Sequence, residues 1–121
     1  MGHTRAGGDG LNLLRIATDV REDGVWLVLE GEFDIAGVAA VERTLAGIEA
    51  DSARPLVIDL GRLSFLDSSA VRTIVSASER ARGAGRQFAI ATGGGPAERL
   101  FRVLGLERRL RIVERPASGS R

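Results

Sequence analysis

The chain contains no cysteine and no lysine, and its one histidine is His3. Without cysteine there are no disulfides, no thiol chemistry and no cysteine-ligated metals. A single histidine cannot complete a zinc set of the usual type, and it leaves a serine nucleophile without a base. Aromatic residues are scarce, at 4%. No aromatic residue punctuates the arginine-rich tail in the way single-strand binders require, and no direct nucleic-acid role is expected. No apolar run approaches the roughly 18 residues of a membrane span, and the first ten residues hold no apolar signal core. A cytoplasmic location away from the membrane is the default expectation. No Gly-Lys-Ser/Thr or dinucleotide glycine fingerprint occurs, so Gly93-Gly94-Gly95 reads as a plain turn. Glu30 and Glu32 fall on one face of a strand end, but nothing marks a sugar cleft around them. The expectation is a protein that is not an enzyme and that uses no metal and no cofactor.

What is present describes one ordinary domain. The chain has 121 residues, 44% hydrophobic and 27% charged, with a net charge of +1. That small net charge hides an asymmetry. Residues 1–60 carry 5 arginines against 11 acidic residues, a net of −6, whereas residues 61–121 carry 12 against 5, a net of +7. Either the charges cancel across a compact fold, or an acidic and a basic face meet different partners.

Strands and helices alternate along the chain. Residues 1–10, with four glycines and no periodicity, read as a flexible N-terminal segment, and 115–121 as a flexible C-terminal tail. Between them, residues 11–114 form the domain. Leu11 to Val20 and Val25 to Glu30 read as strands joined by a turn with an Asp-Gly signal, Trp26 packing in the core. Val38, Val41, Leu45 and Ile48 then keep helical spacing. Leu56 to Leu60 reads as a central strand covered on both faces, with a short loop after it. A helix with Val71, Ile74, Val75 and Ser78 inward ends near Gly83 and Gly85. Phe88 to Ala91 is a strand, Ala97 to Leu104 a helix after Pro96, and Leu110 to Val113 a last strand. The predicted class is α/β, a mainly parallel sheet of about five strands with an initial hairpin and three to four helices.

Two helix starts carry the candidate chemistry. Asp34 follows Gly31-Glu32-Phe33, and Asp67-Ser68-Ser69 follows Leu63-Ser64-Phe65-Leu66. In a parallel sheet both lie at the carboxyl ends of their strands, so they are expected to share one rim. Each is an ordinary N-cap residue type. A phosphate on either serine would also meet unpaired N–H groups and the positive end of a helix dipole. The caps and the partner surface are alternative readings of the same residues.

Gly31-Glu32-Phe33-Asp34, Leu56-Val57-Ile58-Asp59-Leu60 and Leu63-Ser64-Phe65-Leu66-Asp67-Ser68-Ser69 together resemble the STAS domain of bacterial anti-sigma factor antagonists. Pro96-Ala97-Glu98-Arg99-Leu100-Phe101 and Leu104-Gly105-Leu106 are similar to that family's last helix and its exit. The likeness runs from about Leu11 to Glu114. It departs at Ala70, where the family usually carries glycine and where a methyl group is expected to sit against the serines.

The resemblance implies a partner that is both an anti-sigma factor and a serine kinase. It also implies a serine phosphatase, and Ser68 as the phosphorylated residue with Ser69 as second choice. The implied partner surface comprises Asp34, Phe65, Asp67, Ser68, Ser69 and Arg72. Phe65, Leu66 and the arginine-rich end are the surfaces for any weak homodimer. The other readings are a constitutive STAS adaptor in a transport or stress-sensing assembly, and a small nucleotide- or anion-binding domain.

Overall fold

The computed structural model describes residues 3–5, 13–51 and 53–114. The tail at 115–121 and most of the segment at 1–10 lie outside these residues. Six strands form one sheet in the order of the chain: β1 (His3–Arg5), β2 (Leu14–Arg21), β3 (Gly24–Phe33), β4 (Leu56–Leu66), β5 (Phe88–Ala91) and β6 (Ile112–Val113). The first two pairings are antiparallel and the remaining three parallel. Three helices cross between the parallel strands: α1 (Ile35–Asp51), α2 (Ser68–Ala84) and α3 (Pro96–Val103), with a 3-10 turn at Leu106–Arg108. The α/β class and the initial hairpin are as the sequence pattern predicts. The sixth strand is His3–Arg5, inside a stretch whose sequence has no periodicity.

Strand alternation builds the core. Val25, Leu27 and Leu29 of β3 and Leu56, Ile58 and Leu60 of β4 turn one face toward Val41 and Leu45 of α1 and Val71 and Ile74 of α2. Trp26 is buried, but it lies outside this cluster, because it alternates with Val25 and Leu27 and so faces the other side of β3. There the Arg21 guanidinium stacks on it, 4.4 Å from the ring centroid.

Two expectations about local structure are corrected. The hairpin loop is Glu22-Asp23, closed by the Arg21–Gly24 pair, so the glycine ends the turn and is not its second central residue. The stretch expected to be a loop after Leu60 is strand: β4 runs on through Leu66. It does so with two bulges, since Val28 pairs with Asp59, Glu30 with Arg62 and Glu32 with Phe65. Each bulge adds one residue to β4, so its buried positions Leu60, Leu63 and Leu66 recur every three residues. That spacing erases the period-two signature of a strand.

The extension matters for position. β5 pairs with β4 only over Leu56–Asp59, so the last part of β4 projects past β5 and carries the start of α2 with it.

Candidate functional site

Phe33 ends β3, Leu66 ends β4, and the two are register partners in parallel strands. The next residue on each strand, Asp34 and Asp67, therefore lies on one rim. The Asp67 N–H donates to the Phe33 carbonyl at 3.3 Å, which ties the start of α2 to the end of β3. Backbone geometry just before the rim is special as well. Gly31 has φ +106, and a Cβ there would stand 2.1 Å from the Leu13 carbonyl oxygen. Only glycine allows that approach, and the neighbouring Glu32 N–H donates to the same carbonyl at 3.2 Å.

Both aspartates cap helices. Asp34 Oδ1 accepts from the Ala36 N–H at 3.0 Å. Asp67 Oδ1 accepts from the Ser69 N–H at 3.0 Å and the Ala70 N–H at 3.1 Å, and from the Ser69 hydroxyl at 2.6 Å. These donors hold the Asp67 carboxyl below its ordinary range. The Ser69 hydroxyl is the main cause, partial burial opposes it, and the two backbone N–H groups add to it.

The two serines end up in different states. The Ser69 hydroxyl donates a hydrogen bond to Asp67, and the Ser69 carbonyl accepts from the Thr73 hydroxyl at 2.9 Å. Ser68 is exposed, and its hydroxyl has no hydrogen bond among the described residues. Arg72 is exposed one turn further on, at the i+4 position that shares a helix face with Ser68. Phe65 is 47% exposed at the end of β4. All six residues of the expected partner surface thus gather at the carboxyl ends of β3 and β4 and the first turns of α1 and α2.

Leu66 and Ala70 differ from expectation. Leu66 is buried in the core and offers no contact surface. Ala70 is fully buried in the same cluster, because it belongs to the inner face of α2 with Ile74, Ala77 and Ala81. Its methyl group is buried in the core, whereas Ser68 is exposed.

Two features escape sequence reasoning. Ile35 stands three residues before Val38 and so reads as part of the core stripe, yet it is 72% exposed beyond the end of β3. Glu98, at the third position of α3, reaches back to the Gly94 N–H at 2.7 Å and the Thr92 hydroxyl at 3.1 Å. The signal available for it was the capping-box position behind the glycine turn. Its carboxyl is held low by the Gly94 N–H first, then by the Thr92 hydroxyl, against burial, with Arg102 adding to it.

Residues 15–118 match the STAS domain. The chain belongs to the STAS family. Among its relatives, the anti-sigma-F factor antagonist RsfB of Mycobacterium tuberculosis is 30% identical over 86 residues, 71% of this chain and 70% of the relative. The crystal structure of an anti-sigma factor antagonist from Mycobacterium paratuberculosis superimposes with a TM-score of 0.75 at 22% identity, over 88% of each chain. Unphosphorylated SpoIIAA, an anti-sigma factor antagonist, gives 0.70 at 18% identity, covering 84% of this chain and 89% of that chain. The phosphorylated form of the same Bacillus protein gives 0.67 at 18%, over 84% and 92%. At these identities the solved structures speak for the fold of the STAS domain. Among the described residues no helix is long and apolar enough to cross a membrane.

Proposed function

We propose that this STAS domain is an anti-sigma factor antagonist whose rim docks an anti-sigma factor with serine kinase activity, and that phosphorylation of Ser68 abolishes the docking until a phosphatase reverses it. The observation that carries the reading is the contrast between the two serines. Ser68 presents an exposed, unbonded hydroxyl at the first residue of α2, beside a neighbour already committed to Asp67. The names of the relatives supply the class of partner. Asp34, Asp67 and Arg72 give the surface its polar part, Phe65 and Ile35 its apolar part.

The switch needs no refolding. A phosphoserine carries roughly −1.5 to −2 charge at pH 7. The helix start attracts it, while Asp67 repels it, so its balance within the domain is mixed. At a docked interface the group would have to be desolvated or to face the partner's own acidic residues. A penalty of about 1.4 kcal/mol already lowers affinity tenfold.

Mass spectrometry of the protein purified from its own cells tests the modification, and transfer of phosphate from ATP by the anti-sigma factor tests its origin. Phosphate on Ser68 with loss of binding is the expected result. A chain that binds the anti-sigma factor and is never modified would instead be a constitutive adaptor.

A further inference from the structure

Two adjacent serines open α2, and a kinase reaching this rim meets both. We infer that Asp67 is a specificity-determining residue, which directs phosphoryl transfer to Ser68 by holding the Ser69 hydroxyl. The inference rests on the reading of Ser68 as the phosphate acceptor.

The reaction itself shows what Asp67 does. The acceptor oxygen attacks the γ-phosphorus of ATP, an O–P bond forms, and the bond from that phosphorus to the β–γ bridging oxygen breaks. ADP leaves, and the hydroxyl proton passes to a base of the kinase or to water. At Ser68 no internal contact is lost, because its hydroxyl is bonded to nothing among the described residues. At Ser69 the departing proton is the one that makes the 2.6 Å hydrogen bond to Asp67 Oδ1. The ester would leave a dianion against a carboxylate stripped of its shortest donor. That carboxylate also receives the Ser69 and Ala70 N–H groups that begin α2. Modification at Ser69 therefore works against the cap, and modification one residue earlier does not.

A carboxylate this close to a hydroxyl could instead be read as a base that activates Ser69. The donors around Asp67 count against that reading. They hold its carboxyl below the ordinary range, which makes it a weaker proton acceptor. The shortest of them is the hydroxyl that a Ser69 phosphate would replace. Ser69 is a positioned side chain whose hydroxyl is occupied, and Asp67 is the positioning residue.

The test is site-resolved phosphate mapping by fragmentation mass spectrometry on the full chain. It is made in the chain's own cells as wild type, Asp67→Asn, Ser68→Ala and the Asp67→Asn/Ser68→Ala double variant. Asparagine still caps a helix but removes the charge that strengthens the Ser69 hydroxyl bond and would repel a Ser69 phosphate, so Asp67→Asn is the folded probe, and circular dichroism of each variant checks this. Wild type should carry phosphate on Ser68 with a preference of about tenfold or more over Ser69, equivalent to about 1.4 kcal/mol. Asp67→Asn should move the ratio toward Ser69, Ser68→Ala should stay unmodified, and the double variant should gain phosphate on Ser69. A merely structural role for Asp67 would lower incorporation at both serines and leave their ratio alone. An unchanged ratio in Asp67→Asn overturns the inference while Ser68 stands as the acceptor, and so does an unmodified Ser69 in the double variant. Absence of phosphate from wild type removes the reading of Ser68 and the inference with it.

Discussion

Phe33 faces Leu66 across the β3–β4 pairing, and the Phe33 carbonyl accepts the N–H of Asp67 at 3.3 Å. The rim is thereby built into the sheet and needs no partner to assemble it. A charge added at the exposed Ser68 should leave the fold intact. Ser68→Glu is expected to weaken anti-sigma factor binding at least about tenfold, with a thermal midpoint close to wild type. Equal calorimetric affinities for the two proteins would sink the docking model.

Removing the α2 cap should cost stability and not only binding. Asp67→Ala loses acceptors for two backbone N–H groups and one hydroxyl. The expected loss is about 1–2 kcal/mol, with Asp67→Asn retaining most of it. Urea unfolding of the two variants measures the difference, and equal midpoints for alanine and wild type would contradict the capping geometry.

Acid should erode the same contacts. Asp67 and Glu98 both have folded-state acidities held below the unfolded value. Their contribution is therefore complete above the unfolded carboxylate pKa, about 4, and is lost as pH falls through the lower folded value. Ser69→Ala removes the main cause at Asp67, so its destabilisation should be larger at about pH 6 than at about pH 2.5. Unfolding curves across that range test the sign, and a gap that widens toward acid would reverse it.

Gly31 supports the rim from behind. Any side chain there meets the Leu13 carbonyl at 2.1 Å and must hold φ near +106. Gly31→Ala is expected to destabilise on the order of 2–3 kcal/mol, read from denaturant midpoints. A neutral substitution would mean that the β2–β3 approach is not the one described.

Ile35 separates docking from stability. At 72% exposure, Ile35→Ala should change folding by less than about 0.5 kcal/mol. As an apolar contact of the docked complex it should still cost about 1–2 kcal/mol of affinity, roughly 5- to 30-fold. Unchanged binding would place the apolar contact elsewhere.

Most of the fold was legible because each helix carries its own stripe and each turn its own chemistry. Val41 and Leu45 inside α1, and Gly85 closing α2 in a left-handed conformation, follow directly from pattern. The strand character of Gly61–Leu66 was hidden, since two bulges space its buried residues by three. The short β1 pairs Thr4 with Ile16 without any periodicity to announce it. At the site, caps and rim could be read from residue types. The division of labour between Ser68 and Ser69 could not, because it depends on which hydroxyl turns toward Asp67. Ile35 was hidden for the opposite reason, having the spacing of a core residue and the surroundings of a surface one.

Strand order that repeats chain order has a consequence for biosynthesis. Each strand emerging from the ribosome finds the strand it must pair with already made, so no later segment has to be threaded between earlier ones. The pair that carries the rim, β3 with β4, is complete before β5, α3 and β6 are synthesised. The expected sign is early protease protection of ribosome-bound chains that end beyond α2. Protection arriving only with the full chain would show that the rim waits for its last third.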